Sequence, residues 1–318
     1  MGLRNQTSTQ QATEFILMGF QLSRSIEVFL LVILLLAFLV TLAGNITIIT
    51  LVCLDQRLQT PMYFFLCNLS LLEMFFVLSI TPKMLVNMIS RNKSISFLGC
   101  ALQCYFYFSL GVCEAILIAL MAFDRYVAIC HPLRYTIIMN GQVCMYIALG
   151  CWAGGFINNI FPLFLMTRLS FCDSNVIDHF FCDYATMLKL SCDDVHVLLA
   201  LESIMAALEL LTSFSATAVS YFYIIVTIFR MRSTTGHQKT FSTCSSHITV
   251  ASIFYGSSVF MYCLPSHGRS QDAQKAVAVL TGVVTPLLNP FIYSLRNEKV
   301  KEAFRDCVKK WKFALWKD

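Results

Sequence analysis

The chain has 318 residues, of which 57% are hydrophobic and 13% charged, against roughly half apolar and a quarter charged in a soluble domain; a soluble enzyme or binding module is excluded. The net charge of +5 is not a nucleic-acid footprint, because it divides by side of a membrane. Arg57, Arg125, Arg134, Arg230, Arg232, Lys239 and eight Lys or Arg from Arg296 onward fall on one side of the apolar runs, and Arg4, Arg24, Arg91, Lys93, Arg168, Lys189 and Arg269 on the other. The crowded side is expected to be cytoplasmic, with the N-terminus outside and the C-terminus inside.

Apolar runs of about 20 residues suffice to span a hydrocarbon core, and seven occur, at roughly 27–54, 61–88, 98–123, 143–166, 197–229, 241–263 and 273–295. The expectation is an all-α membrane protein: an extracellular N-terminus over 1–26, a seven-transmembrane bundle over 27–295, and a cytoplasmic amphipathic helix and tail over 296–318. Residues 1–25 are polar, with neither an apolar core nor a small-residue cleavage site, so the first span is read as its own insertion signal. Asn5-Gln6-Thr7 is a glycosylation sequon, usable only if this end faces the lumen. Asn45 follows Gly44 in the first span, where an amide faces another helix rather than lipid. The second span opens PMYFFLCNLS (Pro61 to Ser70), carries Glu73 at depth, and has Lys83 near its outer end, within snorkelling reach of water.

The third span holds Tyr107, Gly111, Glu114, Ile118, Met121 and Arg125 on one stripe, because steps of three and four return to the same helix face. Residues 115 to 123 are apolar, so Glu114 is stranded roughly three turns from Asp124-Arg125. Glu73 and Glu114 are the deepest acids in the bundle. Each is either a hydrogen-bonded carboxylic acid or half of a cation site, two carboxylates holding Na+ with hard oxygen ligands. The inner end of this span reads MAFDRYVAICHPLRY (Met121 to Tyr135).

Cys100 tops the third span, and the long outer loop 167–196 adds Cys172, Cys182 and Cys192. Four cysteines allow three connectivities, and an oxidising lumen favours pairing. His179-Phe180-Phe181-Cys182-Asp183 reads alternatively as a metal-ligating run, unless Cys182 is in a disulfide.

The fifth span carries Glu202 and Glu209 two turns apart. Glu202 is read as solvated at the outer interface and Glu209 as a functional candidate by depth. In the sixth span Tyr255, Ser258 and Tyr262 share an outer face, while Phe241 to His247 is rich in Ser, Thr and Cys, suited to close interhelical contact. The seventh ends Asn289-Pro290-Phe291-Ile292-Tyr293, a proline kink in which Asn289 can answer a freed carbonyl. Beyond it Val300, Phe304, Cys307, Val308, Trp311 and Leu315 recur at helical spacing opposite Lys and Arg, an amphipathic helix for the inner leaflet of the lipid bilayer.

Four strings in this order, PMYFFLCNLS, MAFDRYVAICHPLRY, KTFSTCSSH (Lys239 to His247) and PLLNPFIYSLRN (Pro286 to Asn297), closely resemble the odorant receptors among the rhodopsin-like G-protein-coupled receptors. The resemblance implies disulfides Cys100 to Cys182 and Cys172 to Cys192. It implies a switch made of Asp124, Arg125, Tyr126, Tyr221, Asn289, Pro290 and Tyr293, and a polar network of Asn45, Glu73, Glu114 and Asn289 that holds sodium in the inactive state. It implies a ligand pocket of Tyr107, Phe108, Gly111, Val112, Met205, Glu209, Tyr255, Ser258, Val259, Tyr262 and Val279. Such a lining suits a small, volatile, mainly apolar odorant. The partner implied is a stimulatory, olfactory-type heterotrimeric G protein raising cAMP, and the place is the plasma membrane, in the cilia of olfactory sensory neurons.

Three rival classes fit less well. A retinal-binding opsin needs a lysine mid-way along the seventh span, where Val283 and its neighbours are aliphatic and Lys275 sits at the outer start. A transporter is expected to show internal repeats with broken helices, and none is found. An intramembrane protease needs paired aspartates, whereas the deep acids are glutamates.

Overall fold

The computed structural model describes residues 13–90, 92–171, 174–230, 234–263, 271–295 and 297–315, with the side chains of 234–243, 262–263, 271, 295 and 311–315 outside that description. Long helices dominate. They are α1 (Arg24–Leu54), α2 (Pro61–Ile89), α3 (Phe97–Cys130), α4 (Gly141–Met166, with a break at Asn159) and α5 (His196–Arg230). The α6 helix runs Thr234–Ser258 and ends in a π-helical turn, Val259–Cys263. Then α7 comprises Gln271–Val279, a π-helical turn Leu280–Val284 and Thr285–Leu295, and α8 is Glu298–Leu315.

The starts of these helices are written locally. Pro61 occupies the first turn of α2, where its missing N–H costs nothing. The Ser96 side chain accepts from the Gly99 N–H at the start of α3, and Asn140 from the Val143 N–H at the start of α4. Among the described residues six helices, α1 to α5 and the Asp272–Ser294 part of α7, are long and apolar enough to cross a membrane. The seventh expected span, α6, is diluted by the Ser, Thr and His of its first half, yet it packs against α3, α5 and α7. The result is a seven-helix bundle with α8 appended.

α3 is the axis of the bundle, touching α2, α4, α5 and α6, while α1 leans on α2 and α7. Two glycines set close approaches: a Cβ on Gly155 of α4 would collide with Cys113 Sγ and come within 2.7 Å of the Ser109 carbonyl oxygen, and one on Gly44 of α1 would come within 3.1 Å of Pro290. Small residues at such crossings let backbones pack in the absence of a hydrophobic drive between helices. Large side chains such as Phe29, Leu36 and Phe222 cover the outside, as lipid contact requires.

At one end, hereafter the disulfide end, Cys100 of α3 is bonded to Cys182, with Cα atoms 5.4 Å apart. Cys182 is therefore not a thiolate ligand. Cys192 is also disulfide-bonded; Cys172, its expected partner, lies outside the described residues, as does Asn5.

The segment before α1 does more than the sequence reading assigned it. Glu14–Leu17 forms β1, the central strand of a three-stranded sheet, antiparallel to β2 (Ser94–Ser96) and parallel to β3 (Val176–Ile177). Its side chains alternate, so Phe15 and Leu17 are wholly buried while Glu14 and Ile16 are exposed. Phe15 meets Phe171 edge-on at 5.3 Å. Opposite lies the arginine end, with Asp124-Arg125 and α8.

Candidate functional site

The stripe on α3 keeps every member buried or partly buried, yet its neighbours change along the helix. Tyr107 turns toward α2 and the loop, its ring 5.0 Å from Phe76 and 4.7 Å from Phe181. Ile118 instead packs with Leu210 of α5 and Ala251 and Tyr255 of α6. Gly111, between them, faces open space: a Cβ there would meet nothing within 4 Å.

The expected lining divides by burial. Val112, Tyr255 and Ser258 are buried, and Glu209 and Val279 partly so. The Tyr255 hydroxyl is 3.0 Å from Thr217 Oγ1, and its ring stands edge-on to Phe214 at 5.3 Å. Met205 and Val259 are 41% and 43% exposed, on the surface of the bundle rather than its interior. The Tyr262 side chain lies outside the described residues. Phe108 lines a separate cleft with Asn159, Pro162, Tyr184 and Glu202. Glu202 is thus a wall of that cleft and partly buried, not the solvated residue its place in the sequence suggested.

Mid-bundle, Asn289 Nδ2 donates a short hydrogen bond to Glu73 Oε1, and both residues are buried. Asn45 Nδ2 donates to the Thr41 carbonyl of its own helix at 3.1 Å, and its side chain also stands within hydrogen-bonding reach of Glu73 on α2. The Asn45 and Asn289 Oδ1 atoms are buried without a partner among the described residues. Glu114 is partly buried on α3.

At the arginine end Asp124 is buried and doubly held. Arg125 Nε donates to Asp124 Oδ2 at 2.9 Å, and the Tyr135 hydroxyl donates to Oδ1 at 2.7 Å. Tyr126 packs on Tyr223 at 5.7 Å and pairs through its hydroxyl with His131 Nε2 at 3.0 Å. Tyr221 of α5 reaches His247 of α6, and the buried Tyr293 hydroxyl has no partner among the described residues. Below them Arg57 Nη2 joins Asp55 at 2.6 Å and Asp306 of α8 at 2.8 Å, tying α8 to the α1–α2 turn.

Residues 34–311 match the family model described as olfactory receptor. The chain belongs to the olfactory receptor family. Human olfactory receptor 6J1 is 49% identical over 94% of this chain and 86% of its own length, and human olfactory receptor 6S1 48% identical over 94% and 90%. Rat olfactory receptor 287 is 50% identical over 93% of this chain and 95% of its own. The protein is an odorant receptor, not an enzyme, a multi-pass plasma-membrane protein of a family that binds odorants and couples to G proteins.

Four of the receptor's connecting residues escaped the sequence reading. Gln103 Nε2 donates to the Ser79 carbonyl at 2.8 Å while its Oε1 accepts from the Cys182 N–H at 2.9 Å, so one amide bridges α2 and the loop across α3. Lys275, placed by sequence at the start of a span, is buried, with Nζ 2.6 Å from Asp178 and 3.0 Å from the Gly19 carbonyl oxygen. Beside it, burial and the Lys275 charge hold the buried His179 imidazole down to about 3. Tyr135 and His247 stand within the family strings, but only the fold pairs them with Asp124 and Tyr221.

Proposed function

We propose that the receptor binds a small, mainly apolar volatile odorant in the half of the bundle toward the disulfide end, and answers by activating a stimulatory, olfactory-type heterotrimeric G protein that raises cAMP. The observation that carries the ligand reading is the open space at Gly111, between Tyr107 and Ile118 on the α3 stripe; the lining expected for it is aliphatic and aromatic, with Ser258 and Glu209 among its polar members. Such a lining rewards apolar volume and admits one or two directed hydrogen bonds. Glu209 serves as a hydrogen-bonding group for an aldehyde, ketone or ester. No cation offsets it among the described residues.

In this reading the disulfide end is extracellular and the arginine end cytoplasmic, with Asn5 glycosylated and the receptor sited in the cilia of olfactory sensory neurons. The disulfide and the excess of Lys and Arg on the opposite side support that orientation. The Asp124–Arg125–Tyr135 clasp restrains the inactive state, and its release frees Arg125 to meet the G protein beside Tyr221 and Tyr293. The donor set mid-bundle suits a sodium ion, which Glu73, Glu114, Asn45 and Asn289 would hold; the two unpartnered amide oxygens are hard ligands of the kind Na+ prefers.

Screening an odorant panel on cells expressing the receptor, with cAMP as readout, tests the reading. A best ligand whose potency is unmoved by Gly111→Leu, which fills the open space, overturns the pocket assignment. A robust ligand response with no cAMP rise overturns the stimulatory coupling.

A further inference from the structure

The cover over the disulfide end is fixed on one side and clipped on the other. On the α3 side the outer loop is bonded covalently through Cys182 to Cys100, and the Cys182 N–H is held by Gln103. The segment after β1 lies along this loop. The Met18 N–H donates to the Ile177 carbonyl at 2.9 Å and the Gly19 N–H to that of His179 at 3.1 Å, while Phe20 stacks on Phe180 at 5.2 Å. With β1 paired to β3 as well, strap and loop form one piece.

On the α7 side Lys275 reaches both halves of that piece, Asp178 of the loop at 2.6 Å and the Gly19 carbonyl oxygen of the strap at 3.0 Å. Gly19 turns there in the left-handed region, at φ 68°, which glycine adopts without strain. Lys275 is 4% exposed, whereas the Asp178 side chain is 42% exposed. A buried ammonium needs its partners, but a half-exposed carboxylate has water as an alternative. The contact is therefore tight when made and releasable when broken, unlike the disulfide opposite. Beneath it, Phe180 and Phe181 belong to the same buried cluster as Tyr107. The Phe181 ring lies 4.7 Å from that of Tyr107, one helical turn from the open space at Gly111.

We infer that residues 14–20 and 174–181 form a lid, hinged at the Cys100–Cys182 bridge and latched to α7 by Lys275, whose release opens the space at Gly111 to water. The inference rests on the odorant reading for what the lid admits, and its test uses no odorant, so the two fail separately. Purified full-length Gly111→Cys receptor in nanodiscs is treated with a sulfonate-bearing methanethiosulfonate, and labelling of the introduced thiol is timed by mass spectrometry. Labelling is expected to be slow with Lys275 in place and about tenfold faster when Lys275→Met is added, the scale of losing one charge-assisted contact. It should be slow again with Lys275→Arg, which keeps the charge. Lys275→Met leaves no buried charge behind; if it nonetheless fails to fold, Asp178→Asn is read instead, with the same rise expected. Equal rates with and without the latch overturn the lid, as does labelling with Lys275 in place as fast as at the exposed Ile16→Cys. A rate for Lys275→Arg as high as for Lys275→Met overturns the role of the charge.

Discussion

The phenolic oxygen of Tyr221 lies 2.6 Å from Nδ1 of His247, with the two rings stacked at 28°. This contact fastens α5 to α6 at the arginine end, immediately beside α3. Breaking it while keeping the stack separates its polar part from its packing. His247→Phe is expected to raise ligand-free cAMP about two- to fivefold per surface receptor, since one neutral hydrogen bond contributes about 1 kcal/mol. Tyr221→Phe breaks the same bond but also removes a hydroxyl assigned to the active state, so its maximal response should fall. Unchanged basal cAMP in His247→Phe would show that this bond does not restrain the receptor.

Asp124 is held from two sides, by Arg125 and by the Tyr135 hydroxyl. Arg125→Ala is expected to abolish agonist-driven cAMP without lowering surface expression, because the arginine is needed after the clasp opens rather than for folding. Tyr135→Phe leaves the ion pair but loosens it, and should shift the agonist curve to lower concentration. A full agonist response from Arg125→Ala would sink the coupling role.

Cys100 and Cys182 form one bridge, and the Cys182 N–H is also bonded to Gln103. Losing a native disulfide costs about 2–5 kcal/mol in small secreted domains, enough to remove a marginal receptor from the surface. Cys100→Ser and Cys182→Ser should each do so, and the double mutant should be no worse, because the partners lose one shared constraint. Flow cytometry of a surface tag reads this directly; additive losses would contradict the pairing's role in folding. Gln103→Leu should lower expression by a smaller margin.

Glu209 sits partly buried with Ser213 and Thr212 hydroxyls donating to its backbone carbonyl. Glu209→Gln keeps its shape and hydrogen-bonding capacity while deleting the titratable group. The best ligand's half-maximal concentration should move by less than about threefold, below the tenfold that corresponds to 1.4 kcal/mol. A response that vanishes in this variant, for a ligand that proves to be an amine, would make the receptor a cation detector.

His179 is buried within the outer loop and held down to about 3 by desolvation and by Lys275. The unfolded chain, titrating near 6.5, binds the extra proton first, so the sign is fixed by linkage. Stability is full above about 6.5 and falls as pH drops through the window from 6.5 toward 3. Thermal unfolding of purified receptor should therefore show a lower Tm at pH 5 than at pH 7.5, and His179→Phe should flatten that difference. An equal slope in the variant would assign the pH dependence elsewhere.

The apolar runs marked seven spans, because in lipid a backbone must satisfy its own hydrogen bonds within each segment; length and hydropathy suffice for six of the helices, while α6, diluted by Ser, Thr and His, is placed in the bundle by its packing on α3, α5 and α7. The four motif strings likewise identified the family, and with it the disulfide Cys100 to Cys182. Direction across the bundle was a different matter. Spacing put Tyr107 and Ile118 on one stripe, but only the packing of α2, α5 and α6 around α3 decided that the first meets Phe76 and Phe181 and the second Tyr255. The alternation of Phe15 and Leu17 was local and readable, yet β1 needs partners near residues 95 and 176, and no periodicity in the strand names them. Lys275 shows the same limit: the sequence puts it at the outer start of the seventh span, while the tertiary structure brings Asp178 and the Gly19 carbonyl oxygen to its ammonium and so offsets its burial. Local sequence encodes which face is apolar and where a helix begins; which neighbour that face meets is decided by contacts between residues far apart in the chain.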